Sequence, residues 1–168
     1  MSSHTATVRW SASPGEEFGR GQYSRAHQWT FDGGAVVPAS ASPTIVPAPW
    51  SDASAVDPEE AFVASLASCH MLFFLDFARR AGAVVTAYED AAEAVMAKGE
   101  DGRVRISRVT LRPRMSWGGA APDAVALAAL HDKAHHACFI ANSVTCAVVV
   151  ESPSPLEGED TKTWQLAA

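Results

Sequence analysis

The chain has 168 residues, of which 48% are hydrophobic and 19% charged, as expected for a single soluble domain with its own core. A formal net charge of −6 argues against a nucleic acid or an anionic membrane as partner. The first residues, MSSHTATVRW, contain no basic or apolar segment, and polar residues interrupt every long apolar run. We therefore expect neither a signal peptide nor a membrane span, and a cytoplasmic location.

Alternating patterns predict two strands in the first part of the chain, over residues 4–11 and 22–31. In the second strand, one side carries Tyr23, Arg25, His27, Trp29 and Phe31. This aromatic side is expected to face inward, which would place Arg25 among aromatic neighbours. The Pro-, Ala- and Ser-rich residues 37–54 predict an ordered loop.

A long helix is predicted from residue 57 to about residue 80. Asp57 is a good N-cap, Pro58 suits the first turn, and Glu60 stands where a capping box requires it. Gly82 supplies the stop. The apolar positions recur at spacings of three and four, which predicts a core-facing stripe at Phe62, Leu66, Cys69, Phe73 and Phe77.

The remaining pattern predicts a β-hairpin, a second helix and a last strand. The hairpin covers residues 83–98 and 103–117, with a bulge near Ser107–Arg108, and its outer arginines are interpreted as a solvated face. The helix opens at Pro122–Asp123 and leads to Cys138, and residues 143–151 form the strand. The element order predicts an α+β fold with antiparallel sheet and helices on one side. We place one domain at residues 1–151, and the Pro- and acid-rich tail, 152–168, could either be disordered or dock through Trp164.

The three cysteines differ in their surroundings. Cys146 is flanked by valines and fits a buried small hydrophobe. Cys69 and Cys138 lie in apolar, helix-like runs that also carry Ser, His and Asn side chains. Both could be simple core residues, yet a lasting disulfide is not expected in the cytoplasm, so a working dithiol is the alternative.

A buried thiol has a raised pKa and is inert unless a cation or hydrogen-bond donor stabilises its thiolate. Arg25, on the inward side of its strand, is the best candidate cation, and Glu59 or Glu60 could orient it. Glu59 lies ten residues before Cys69, which is about 15 Å along a continuous helix. We therefore expect Glu59 to act from the second subunit of a dimer, unless the helix is kinked.

Histidines offer a competing interpretation as a metal site. His131 and His135 are four residues apart and could share a metal with His136 or Cys138. This spacing is common by chance, and no carboxylate or second cysteine completes the set. We therefore expect no metal and no cofactor.

The segment DPEEAFVASLASCHMLFFL resembles the signature of the OsmC/Ohr family of thiol peroxidases, with a Pro-Glu dipeptide and ten residues from Glu to Cys. The region around Cys138, before a final strand, fits its second half, and the resemblance covers roughly residues 4–151. It implies an OsmC-like fold with antiparallel sheet packed on a long central helix, and an intertwined homodimer with sites at the subunit interface. It further implies that Cys69 is the peroxidatic residue, Cys138 the resolving residue, and Glu59 the carboxylate that holds the arginine.

The position of that arginine stays open between Arg20 and Arg25, and strand phase favours Arg25. The expected function is the reduction of organic hydroperoxides to alcohols in oxidative-stress defence. It would proceed through a Cys69 sulfenic acid and a Cys69–Cys138 disulfide that an external dithiol reduces. The alternative is a non-enzymatic protein of the same fold that binds a small apolar ligand.

Overall fold

A computed structural model describes residues 2–152 and a strand at 162–165. The chain divides into two compact units, residues 1–61 and 62–168. The described elements are, in chain order, β1 (Ala6–Arg9), β2 (His27–Phe31), β3 (Val36–Ala39), α1 (Pro58–Arg80), β4 (Val85–Asp90), β5 (Glu93–Lys98), β6 (Val104–Leu111), β7 (Pro113–Trp117), α2 (Ala124–Ala137), β8 (Ala147–Ser152) and β9 (Lys162–Gln165). The predicted α+β class is confirmed.

The first unit contains an antiparallel sheet in the order β1-β2-β3. The predicted strand at 22–31 is correct only from His27 onward. Before it the chain runs in a loop, where the Ser24 hydroxyl accepts from the Ala26 N–H and the Arg25 N–H donates to Trp50. A serine bonded to its own nearby backbone favours a turn over a strand. Strand phase therefore does not set the direction of Arg25.

The ends of α1 form as predicted. The Glu60 N–H donates to the Asp57 carboxylate at 2.7 Å, and the Asp57 N–H donates to the Glu60 carboxylate at 3.0 Å. This reciprocal pair is the predicted capping box. After Arg80 the chain leaves the helix at Gly82, whose φ of +81° suits glycine.

The buried line of α1 differs from the predicted stripe. The buried residues are Leu66, His70, Phe74 and Ala78, spaced by four, whereas Cys69 is half-buried. The two lines share Leu66 and are neighbours on the helix surface. Apolar spacing alone does not separate them, because both carry large side chains. Of the predicted stripe only Leu66 is fully buried, and the other four residues, Cys69 among them, are half-buried beside the line that contains His70.

The second unit contains two sheets, β4-β7 and β5-β6-β8-β9. The predicted hairpin is confirmed in its antiparallel pairings, but it is divided between the two sheets. The predicted bulge is confirmed at Ser107, because Ile106 pairs with Met96 and Arg108 with Val95. One pair, β6 and β8, is parallel, which the antiparallel prediction did not include.

Two apolar clusters form the core of this unit. The first half of α1 contributes Leu66 to a cluster with side chains of β6 and β8. The second half contributes Phe74 and Ala78 to a cluster with Leu130 and Ala134 of α2. Both clusters lie in residues 62–151, so α1 is the element that connects them.

The following residues are the outer arginines of the hairpin and the C-terminal tail. Arg108 and Arg114 are exposed as predicted, whereas Arg112 donates to Glu93 and Glu151 at 2.8 and 2.9 Å. Residues 162–165 of the tail pair with β8 as strand β9. The rest of that tail, 153–161 and 166–168, lies outside the described residues.

The sequence predicts no membrane span, but α1 is both long and apolar. By length and composition alone, α1 could cross a membrane, since its most apolar window has a mean hydropathy of 1.7. The acidic and basic residues of α1 lie mainly at its ends, which leaves the middle apolar. Because Leu66 and Phe74 pack into the two clusters, α1 is a core helix.

Candidate functional site

Cys69 and Cys138 come together in the second unit. Cys69 lies in the middle of α1 and is half-buried, whereas Cys138 caps the C-terminal end of α2 and is fully buried. Burial is the main cause that raises the pKa of Cys138 to about 11, and a hydrogen bond with the Cys69 thiol is the second cause. The sequence-predicted dithiol is therefore a pair of neighbouring thiols.

The backbone after α2 holds the Cys138 sulfur in place. The Ala141 N–H, in the short turn after the helix, donates to the sulfur at 3.4 Å, and the Cys138 N–H donates to His135 at 3.1 Å. Because its pKa is raised, Cys138 keeps its proton at neutral pH and can donate it to Cys69. Cys69, which is half-buried, is the more accessible of the two sulfurs.

Cys146, the third cysteine, lies in an apolar environment. It is half-buried against the first cluster, and burial raises its pKa. Its neighbours in this cluster are apolar, as the sequence predicts for a small buried hydrophobe.

The two candidate arginines differ within the first unit. Arg20 lies in a 3-10 turn and forms an exposed ion pair with Glu17 at 3.0 Å. Arg25 is half-buried, donates to the carbonyls of Gly21 and Tyr23, and stacks on the Tyr23 ring at 3.7 Å. Arg25 thus has the more constrained guanidinium.

Glu59 lies half-buried in the first turn of α1. The helix is continuous from Pro58 to Arg80. Ten residues of helix keep the two about 15 Å apart along the axis. Among the described residues of the single chain, Glu59 forms no ion pair with Arg25.

A pair of buried histidines lies beside the cysteines. His70 Nε2 and His131 Nδ1 are 3.1 Å apart and share a hydrogen bond, and the two ring planes lie within 9° of each other, edge to edge. Burial lowers the pKa of His70 to about 3 and that of His131 to about 4, so both rings are neutral. No local motif singles out His70. The only sequence signal is its place four residues after Leu66, on the helix line next to the predicted stripe.

The histidines do not form the metal site considered above. His131 bonds to His70 rather than joining His135 and Cys138, and within the described part of the chain no three His, Cys, Asp or Glu side chains are placed to hold a metal. A metal would need such a cluster of at least three ligands.

The fold is of the α+β class, and it places two thiols side by side. One belongs to the half-buried Cys69 of α1 and the other to the buried Cys138 at the end of α2. The family model described as OsmC-like protein matches residues 51–152. The chain therefore belongs to the OsmC-like protein family. No curated protein matches the chain.

Solved structures support this assignment. An OsmC-like protein of unknown function from Vibrio cholerae is 47% identical, with a TM-score of 0.88 over 91% of this chain and 100% of that one. An organic hydroperoxide resistance protein from Bacillus subtilis is 21% identical, with a TM-score of 0.63 over 89% and 96%. One from Legionella pneumophila is 17% identical, with a TM-score of 0.63 over 90% and 96%. The last two share the fold.

Proposed function

We propose that this protein is a thiol-dependent peroxidase that reduces organic hydroperoxides to alcohols. The observation that carries the proposal is the contact between a half-buried Cys69 and a buried, protonated Cys138. Membership of the OsmC-like family supports it. The names of the Bacillus and Legionella proteins, which refer to organic hydroperoxide resistance, support the substrate class.

The proposed reaction has two steps, attack on the hydroperoxide and formation of the disulfide. The Cys69 thiolate attacks the distal oxygen of the hydroperoxide, the O–O bond breaks, and the leaving alkoxide takes up a proton to give the alcohol. Cys69 is then a sulfenic acid. The Cys138 sulfur attacks the Cys69 sulfur, water leaves, and a disulfide forms, which an external dithiol reduces by exchange.

Arg25 has the role of activating Cys69 and stabilising the negative charge that develops on the peroxide. Its half-buried, hydrogen-bonded guanidinium favours it over the exposed Arg20. Glu59 orients this arginine, and it does so from the second copy of the chain, because it is too far from Cys69 along its own helix.

A homodimer would also cover the apolar surface of α1. Only 22% of its most apolar window is buried within the single chain, and Leu72 is 63% exposed. An apolar helix exposed to this degree is typical of an interface. Phe73 and Phe139 meet edge to face at 5.1 Å beside the cysteines and would favour an apolar substituent on the hydroperoxide.

Stoichiometric oxidation tests the proposal. The reduced protein is mixed with one equivalent of cumene hydroperoxide, and its intact mass and thiol content are measured without reductant. We expect a loss of about two mass units and a Cys69–Cys138 cross-link on peptide mapping. An unchanged thiol count would contradict the peroxidase and favour a protein that only binds an apolar ligand. The matched control is Cys146→Ser, which keeps both cysteines of the pair.

A further inference from the structure

We propose that the His70–His131 hydrogen bond is a positioning contact that holds α1 and α2 in the register needed to close the Cys69–Cys138 disulfide. The proposal rests on the proposed function for its biological setting, but it concerns the dithiol itself. His70 and His131 would act through the cysteines, without touching a substrate.

The first observation is the place of the bond between the helices. Apart from the contact between the two thiols themselves, it is the one side-chain hydrogen bond between α1 and α2 among the described residues. His70 directly follows Cys69 on α1. His131 precedes Cys138 by seven residues, which is two helical turns, so both lie on the same side of α2. The bond therefore connects the two segments that carry the thiols.

The second observation is the rigidity of the surroundings. His70 and His131 are 1% and 0% exposed, and the His131 ring also stacks on Phe74, with centroids 4.4 Å apart. Such closely packed rings cannot slide past each other without leaving the hydrogen bond. A disulfide requires Cα atoms about 4.4–6.8 Å apart, so a shift of one or two ångströms between the helices decides whether it closes.

The third observation is that stability alone does not explain the pair. Apolar side chains would fill the same volume without polar atoms to satisfy, whereas His131 Nε2 has no hydrogen-bond partner among the described residues. A buried polar contact that contributes little net stability can still specify one packing arrangement over its neighbours. Here the specified arrangement is the one that brings the two thiols together.

The test measures the equilibrium between dithiol and disulfide against mixtures of reduced and oxidised glutathione. Oxidised glutathione accepts the two electrons, so this measurement needs no peroxidase activity. His131→Phe keeps an aromatic ring against Phe74 and removes the hydrogen bond to His70. His70→Phe removes the same hydrogen bond from the side of α1. We expect each to lower the effective concentration of the protein dithiol by about five- to tenfold, the equivalent of one buried hydrogen bond.

Rescue by a conservative variant separates positioning from general stability. His131→Asn places an amide near the position of Nδ1 and can keep the bond to His70, so its effective concentration is expected within about threefold of the wild type. His136→Gln, at an exposed position of the same helix, is the matched control. Thermal unfolding of the reduced proteins shows which variants are folded.

The outcomes are distinguishable from those for the peroxidase. Equal effective concentrations in the wild type and both Phe variants would overturn the positioning role, as would a wild type that forms no Cys69–Cys138 disulfide with oxidised glutathione. A bond-dependent disulfide in a protein that does not react with cumene hydroperoxide would support the positioning role and refute the peroxidase. If one Phe variant fails to fold, the other and His131→Asn still decide.

Discussion

The two segments that carry the paired cysteines differ in how far they expose the thiol. Cys69 lies mid-helix on a 23-residue α1 whose apolar surface is partly open, whereas Cys138 is sealed at the end of the 14-residue α2. Burial and contact with Cys69 raise the pKa of Cys138. Local sequence surrounds both with similar polar residues. In the proposed mechanism, this difference in burial assigns the attack on the peroxide to Cys69 and the resolving step to Cys138.

The largest expected effect on the rate of hydroperoxide reduction follows from replacing Cys69, the more exposed thiol of the pair. Cys69→Ser should lower the hydroperoxide reduction rate by at least about 10³-fold, because the hydroxyl is a far weaker nucleophile than a thiolate. Steady-state consumption of cumene hydroperoxide with a dithiol reductant measures this. Cys146→Ser, the matched control, is expected to keep the rate within about twofold. Comparable losses in both variants would remove the distinction.

The next effect concerns the activating cation. Arg25→Ala should lower kcat/KM by about 10²-fold, the loss that follows removal of one group stabilising charge in the transition state. Arg20→Ala, which removes only an exposed ion pair, serves as the control and should retain near wild-type kcat/KM. A larger loss in Arg20→Ala would transfer the role to Arg20.

Lowering the pH tests how well the core shields the buried His70–His131 pair from solvent. The pKa values of His70 and His131 in the folded state, about 3 and about 4, lie below the unfolded value of 6.5. Between these limits the unfolded chain binds more protons than the native chain, so stability is present above about pH 6.5 and falls as the pH drops towards 4. We expect a loss of about 2–3 kcal/mol per pH unit in the middle of this range, one His contributing about half.

Urea unfolding at about pH 7, 6 and 5 measures this slope. His131→Asn removes one titrating ring and should reduce the slope by about half. The difference between variant and wild type isolates the histidine from carboxylates such as Asp90, whose pKa burial raises. Identical slopes would mean that the pair is hydrated in solution.

The smallest effect distinguishes the second step from the first. Cys138→Ser should keep the first reaction with hydroperoxide and lose the disulfide, so that steady-state turnover falls by about tenfold while the external thiol reduces the sulfenic acid directly. Rapid-mixing kinetics of one turnover, compared with steady-state rates, measure both. A first turnover as slow as that of Cys69→Ser would place Cys138 in the attacking role.

Elements governed by local chemistry could be predicted from sequence. The capping box at Asp57 and Glu60 and the stop at Gly82 each depend on residues within a few positions of one another. The bulge at Ser107 is visible in the sequence because the alternation along its own strand changes phase there. The dithiol could be suspected from Cys69 and Cys138, and the resemblance to a family gave it an order of events.

Features that depend on distant packing could not. The rotation of α1 that buries His70 instead of Cys69 is set by contact with α2, 61 residues away at His131. The parallel pairing of β6 with β8 likewise joins segments separated by α2. Arg25 lies outside β2 because its neighbour Ser24 bonds to the local backbone, which an alternating pattern does not reveal.

Trapping the sulfenic acid tests the central claim most directly. Cys138→Ser and Cys69→Ser proteins are each treated with one equivalent of cumene hydroperoxide in the presence of a dione that labels sulfenic acids, and the labelled peptide is identified. We predict a label on Cys69 in Cys138→Ser and no label on Cys138 in Cys69→Ser. A label on Cys138, or none on Cys69, would contradict the assignment of Cys69 as the attacking thiol.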